Sequence, residues 1–137
     1  MRIAVFTNTY RPLLNGVANV IEAYRRQLTA YGHDVYIFAP APGDPETDAD
    51  RNVFRYPSVV APVRAEYYVA LPAGAGVRRT LSEVDFSVVH THHPMWVGVW
   101  GQRFAQRAGL PLVNTAHTEY QIYARLFPLI SGSVARL

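Results

Sequence analysis

The feature that most constrains this chain is a pair of short, wholly apolar runs flanking one amphipathic segment near its start. Ile3-Ala4-Val5-Phe6 is apolar at every position and is ended by Thr7-Asn8-Thr9. Side chains alternate between faces along a strand, so a run without polar positions is a strand buried on both faces, as in parallel sheets. Val17 to Tyr31 carries apolar residues at 17, 20, 21, 24, 28 and 31, which is helical spacing, and Gly32 stands where the helix would stop. Val35-Tyr36-Ile37-Phe38-Ala39 is a second buried strand, closed by Pro40. Together they make one βαβ unit with a right-handed crossover.

The alternation continues. Ala41 to Asn52 holds Pro42, Gly43 and Pro45 with Asp44, Glu46, Asp48 and Asp50, and reads as an exposed loop. Val53 to Tyr56 reads as a short strand, and Pro57 to Pro72 as a less regular stretch with a strand at Tyr67 to Leu71. A short helix is expected over Val77 to Glu83, a strand over Phe86 to His90, and a helix from Pro94 or Met95 to Ala108. Gly109 ends that helix, Leu112 to Thr115 is another strand, and Glu119 to Leu137 is helical in part. The expected fold class is therefore α/β, one domain with a mostly parallel sheet.

Composition narrows the chemistry. Half of the 137 residues are hydrophobic and 17% are charged, enough apolar material for a packed core. Without cysteine there is no disulfide framework, thiol nucleophile or Cys-ligated zinc. All 13 basic residues are Arg, so a lysine Schiff base or Walker lysine is excluded within the chain. A net charge of +3, with acids bunched at 44 to 50, does not mark a nucleic-acid binder. The opening apolar run is too short for a signal-peptide core, so a soluble, cytoplasmic chain is expected.

Ligands of parallel sheets bind at the carboxyl ends of the strands, where three loops should converge. In the first, Thr7 to Val17, only Gly16 is present where a dinucleotide fold would place three glycines. Asn15-Gly16 is either a tight turn into the helix or a place where a phosphate approaches the helix amides. The second, His90-Thr91-His92-His93-Pro94, packs three imidazoles into four residues at a strand end. Zinc, a polar ligand and plain loop packing all fit such a cluster, with His117 able to approach from the next strand. The third, Thr115 to Tyr120, holds His117 beside hydroxyls and Glu119, but without a G-x-S-x-G elbow it is no hydrolytic triad. Thr118 reads there as a helix cap. Met95, Trp96 and Trp100 read as core at helix spacing, and the Arg pairs 25–26 and 78–79 as solvated helix faces, with membrane contact as their alternative.

In order and spacing these segments resemble the amino-terminal domain of retaining glycosyltransferase family 4, a group with the GT-B fold. The resemblance runs over nearly the whole chain: Arg2 to Tyr10 with Pro12, Asn15-Gly16-Val17, Gly32 to Val35, Ala39-Pro40, Tyr68 to Pro72, Asp85 to Pro94, Gly109 to Val113, Thr115 to Thr118, and Tyr123. It is nearest to the branch that glycosylates diacylglycerol or phosphatidylinositol-type lipids. The resemblance implies a Rossmann-like, mostly parallel sheet with helices on both faces, one half of a GT-B architecture, transferring a hexose from a nucleotide sugar to a lipid or small polyol without a metal or other cofactor. It implies His117 as the catalytic contact to the transferred sugar, and Gly16 with Asn15 as the donor-phosphate site. It further implies acceptor contacts from Tyr10, Tyr68, His90, His92, His93, Thr118 and Tyr123. The family often has an acidic residue where this chain has His93 before Pro94. The carboxyl-terminal nucleotide-sugar domain has no counterpart in these residues, so a fragment of a longer transferase, inactive alone, is expected. A lipid acceptor also implies peripheral contact with an anionic inner membrane face. The competing expectation is a non-catalytic α/β ligand-binding or interaction module. A receiver-like signalling domain is disfavoured within it by Thr7-Asn8 and the lack of Lys.

Overall fold

The computed structural model describes residues 1–42, 50–61 and 68–117. In chain order the elements are β1 (Arg2–Phe6), α1 (Gly16–Ala30), β2 (Asp34–Pro40), β3 (Val53–Tyr56), β4 (Ser58–Val60), β5 (Tyr68–Ala70), α2 (Ala75–Glu83), β6 (Val88–Thr91), α3 (Val97–Ala108) and β7 (Leu112–Asn114). Five strands form one sheet in the order β3-β2-β1-β6-β7, and every neighbouring pair in it is parallel. The α/β class and the Rossmann-like arrangement stand as expected.

Strand alternation sorts the apolar runs into two cores. Ile3 and Val5 of β1, in register with Val35 and Ile37 of β2, face α1 and pack with Ile21 and the half-buried Val17 and Leu28. Ala4 and Phe6 point the other way, with Phe38, Tyr56 and Val89, onto Val77 of α2 and Val97 and Ala105 of α3. Phe6 stacks on Phe38 with centroids 4.8 Å apart. Each fully buried Val, Ile or Phe contributes about 1.5–3 kcal/mol over leaving it in water, so both faces of the sheet require cover. Helices therefore lie on both faces. No helix of the described residues is long and apolar enough to cross a membrane.

Three differences from the sequence expectation matter for the site. First, β6 starts at Val88 rather than Phe86, because Val88 is the first residue in register with β1. Phe86 instead plugs the core, edge-on to Tyr36 and Phe104 at 5.2 and 5.9 Å. Second, α3 starts at Val97, not at Pro94 or Met95, since Trp96 lies at φ 57°, ψ −116°, outside helical space. Met95 and Trp96 are consequently exposed rather than core, while Trp100 packs on Tyr56 at 4.8 Å. Third, the irregular middle stretch contains an antiparallel pair, β4 with β5, in register from Ser58↔Ala70 to Val60↔Tyr68. Arg25 also departs from a solvated face: it is half-buried and ion-paired to Asp50. Thr118, Tyr123, the partly helical tail from Glu119, Arg64, Tyr67 and the acids at 44, 46 and 48 lie outside the described residues.

Candidate functional site

The strand order reverses direction between β1 and β6, which creates a crevice beyond their carboxyl ends. Three segments border it: Thr7 to Asn15 after β1, His92 to Trp96 after β6, and Thr115 to His117 after β7.

The first segment is fixed by a chain of hydrogen bonds. Thr7 N–H donates to Phe38 O at 3.1 Å, continuing the ladder, and Thr7 Oγ1 donates to Thr9 O at 2.8 Å. Asn15 caps α1: its Oδ1 accepts from Ala18 N at 2.9 Å, and its Nδ2 donates to Thr9 Oγ1 at 2.8 Å. Tyr10 is buried against the α1-side core; its hydroxyl donates to Glu22 and accepts from Arg25 at 3.3 Å. Burial, followed by the Glu22 hydrogen bond, pushes the Tyr10 phenol up to about 12. The buried Arg55 donates to Pro40 O at 3.0 Å and to Arg11 O, with its guanidinium 5.6 Å from the Tyr10 ring centre. Gly16 then opens α1 with no acid in the first turn, and a Cβ placed there would meet nothing within 4 Å. Gly16 is thus exposed at the positive end of the helix, where the Ala18 amide is already taken by Asn15.

The second and third segments form a layered imidazole cluster. His90 and His92, two residues apart on extended chain, lie with ring centroids 4.2 Å apart, and Tyr24 of α1 is 6.1 Å from each. His92 Nδ1 and His117 Nε2 share a hydrogen bond of 2.8 Å, and His90 Nε2 is 2.8 Å from Thr115 Oγ1. His93 Nδ1 accepts from Asn8 N at 3.2 Å, which places its proton on Nε2. Burial lowers all four imidazoles below the usual range, to about 3 for His92 and about 4 for His93, with neighbouring rings adding to the effect in His90, His92 and His93. The cluster is therefore neutral at pH 7, a set of hydrogen-bonding groups rather than a patch of charge. Among the described residues no group of three or more His, Cys, Asp or Glu is arranged to hold a metal ion. His90, His92 and His117 each direct one ring nitrogen to Thr115 or to one another.

Asn8 joins the segments and was not among the expected site residues. Its Oδ1 accepts from Val97 N at 2.9 Å and its Nδ2 donates to Met95 O at 3.1 Å. Trp96 occupies the N-cap of α3 without a side-chain cap, so a residue 88 positions earlier in the chain caps this helix. The signal lay in that mismatch: a Trp before a helix cannot accept from the first amides. Gly98 is the second unforeseen element. A Cβ there would lie 1.7 Å from His93 O, so only glycine lets α3 begin against the His loop.

Of the expected site residues, then, the structure brings His90, His92, His93 and His117 together, and Gly16 lies at the same carboxyl end of the sheet, at the start of α1. His92 is buried behind His117 and fixes its orientation, while Asn15 and Tyr10 hold the first loop from inside. Tyr68 is half-buried on β5 and lines a small recess with Asn8, Thr9 and Tyr10. Thr118 and Tyr123 lie outside the described residues.

The model of glycosyltransferase family 4 matches residues 14–136. The chain belongs to that family. Similar sequences include an alpha-monoglucosyldiacylglycerol synthase of Acholeplasma laidlawii, 33% identical over 125 residues, which are 90% of this chain and 31% of that protein. The enzyme of the same name from Streptococcus pneumoniae is 29% identical over 90% of this chain and 28% of its own length. A GDP-mannose-dependent alpha-mannosyltransferase of Mycobacterium tuberculosis is 29% identical over 90% of this chain and 34% of its own. The chain spans about a third of the length of the curated relatives it matches. Within the glycosyltransferase family, the match includes both Gly16 and the imidazole cluster.

Proposed function

We propose that this chain is the acceptor-side, Rossmann-like half of a retaining GT-B glycosyltransferase that moves a hexose from a nucleotide sugar to a lipid or small polyol. In this reading the donor's diphosphate approaches Gly16 and the amides of α1, with Asn15 holding that helix end. His117 contacts the transferred sugar. Its Nε2 is engaged by His92, which leaves Nδ1 for a sugar hydroxyl. The acceptor enters past His93, His90 and Tyr68, with Thr118 and Tyr123 beyond them. Its hydroxyl oxygen replaces the diphosphate at the anomeric carbon with retention of configuration. The reaction needs no metal in this scheme. Neutral imidazoles suit it, since they donate and accept hydrogen bonds without repelling a cationic sugar centre. A second α/β domain supplies most of the nucleotide contacts, so the 137 residues alone are inactive. The lipid acceptor implies a cytoplasmic protein in peripheral contact with an anionic membrane.

The observations that support the reading are the exposed Gly16 at the start of α1 and the His92–His117 pair, both at the carboxyl end of the parallel sheet, in a family 4 chain. Titration of UDP- and GDP-sugars by calorimetry tests it. Weak binding that His117→Ala reduces at least about fivefold supports the reading. Equal binding by wild type and His117→Ala contradicts it and favours the non-catalytic module.

A further inference from the structure

Trp96 has the spacing of a core residue, yet it stands at the surface in a backbone conformation that tryptophan avoids. It lies at φ 57°, ψ −116°, the one non-glycine residue at positive φ among the described residues. That conformation is strained for a side chain with a Cβ and persists only where the surroundings hold it. Here Asn8 takes both peptide groups that flank Trp96: its Nδ2 donates to Met95 O at 3.1 Å, and its Oδ1 accepts from Val97 N at 2.9 Å. The ring is fixed too, since the indole Nε1 donates to Ala70 O of β5 at 3.3 Å. Backbone and ring are thus held from two elements, while the residue remains 52% exposed. A side chain so fixed and so exposed is a rigid apolar surface offered to solvent.

The groups that hold it are uncharged. Asn8 and Met95 are neutral, and burial lowers His93 to about 4, so its imidazole is neutral at pH 7. Asn8 also orients that imidazole: its N–H donates to His93 Nδ1 at 3.2 Å, which leaves the proton on Nε2. Among the described residues no acceptor meets this Nε2–H. The His93 ring is 6.3 Å from that of His117, centre to centre, so indole, donor and His117 follow one another along one edge of the crevice. A saturated ring bearing hydroxyls is complementary to such a pair. Its C–H bonds meet the electron-rich indole face, and a rim hydroxyl accepts from the imidazole. An acyl chain would leave the donor unused, and a phosphate would call for a cation beside it.

We infer that Trp96 is the platform on which the ring of a cyclic acceptor, a pyranose or a cyclitol, stacks, with His93 Nε2–H on one of its hydroxyls. The inference rests on the transferase reading and names the acceptor within it as a neutral ring polyol. Trp96 selects that acceptor and takes no part in the bond exchange. Asn8 is a positioning residue, since it holds the platform and the donor in one fixed relation.

Saturation-transfer NMR on the 137-residue chain tests it, with scyllo-inositol and methyl α-glucopyranoside as ring probes. Sorbitol, an open-chain polyol, and dihexanoylglycerol, an acyl probe, are the comparisons. Irradiation of the aromatic protons should saturate the C–H protons of both ring probes, and those of sorbitol at least about threefold less. Trp96→Gly should cut transfer to the rings at least about fivefold, whereas Trp96→Phe, which keeps an aromatic face, should cut it less than about twofold. Because glycine adopts positive φ without strain, Trp96→Gly should leave the urea midpoint within about 0.5 M of wild type. The His93 Nε2 resonance should move with the same apparent affinity as the transfer. Absence of transfer to the rings, equal transfer in wild type and Trp96→Gly, equal transfer to sorbitol, or a silent His93 overturns the inference. So does stronger Trp96-dependent transfer to dihexanoylglycerol, which marks a chain site, or a larger fall in the urea midpoint, which marks Trp96 as an anchor of the fold. Affinity for UDP- and GDP-sugars should be unchanged in Trp96→Gly, so failure here is distinguishable from failure of the transferase reading.

Discussion

The two loops that face each other across the switch point are anchored by opposite physics. The β1–α1 loop rests on charge: Arg55 under Tyr10, Tyr10 on Glu22, and Arg25 bridging Tyr10 and Asp50. Burial raises Tyr10, hydrogen bonding raises Arg25, and the Arg25 hydrogen bond lowers Asp50, so all three keep one ionisation state through neutrality. The β6–α3 loop rests on close packing and on neutral imidazoles, with Trp96 at positive φ and Gly98 against His93 O. One side is rigid by electrostatics, the other by shape and by an uncharged state that acid removes. A cleft built this way should lose its His side first under stress.

The largest expected contrast is between two glycines. Gly98→Ala drives a methyl into backbone and should cost about 3 kcal/mol or more in urea unfolding. Gly16→Ala meets open space and should change stability by less than about 1 kcal/mol, in the stabilising direction set by helix propensity. Comparable losses in the two would break the comparison.

Acid comes next. His92 and His93 have folded pKa values of about 3 and about 4, below the unfolded value of about 6.5, so the unfolded state binds more protons between those limits. Stability is therefore full above pH 6.5 and falls as pH drops, by up to about 1.4 kcal/mol per unit for each group. From pH 7 to 5.5 the loss should be roughly 2 kcal/mol by denaturant titration, with His93, half-buried, contributing less than its full share. His92→Phe and His93→Leu should flatten that slope, whereas Arg25→Met should leave it unchanged.

The two asparagines give the smaller effects. Asn8→Ala removes the cap of α3 and the bond to Met95, for about 1–2 kcal/mol, and should speed amide exchange at Val97 to Val99. Asn15→Ala removes the cap of α1, for about 1 kcal/mol, with faster exchange confined to the first turn of that helix. Exchange spreading from Asn15→Ala into the His loop would show that the loops are not independently anchored.

These contrasts follow how much the sequence revealed. Wholly apolar runs such as Ile3 to Phe6 and Val35 to Ala39 permit only a strand covered on both faces, so the sheet and α1 were legible. The convergence of His90, His92 and His117 was legible from period-two alternation and parallel topology. The start of α3 was not, because it depends on Asn8, remote in sequence, and on a Trp96 conformation that propensity disfavours. Tyr10 illustrates the same limit. A tyrosine in a loop offers a hydroxyl to ligand or core, and only Glu22 and Arg25, one turn of helix apart on α1, decide in favour of the core.

The most direct test of the shared crevice is amide and imidazole NMR on the ¹⁵N-labelled chain during titration with UDP- and GDP-sugars. The expected result is concerted shifts at Gly16 to Ala18 and in the His92 and His117 rings, with one apparent affinity. Shifts confined to one of the two loops, or found only elsewhere on the sheet, would contradict a single cleft built from both.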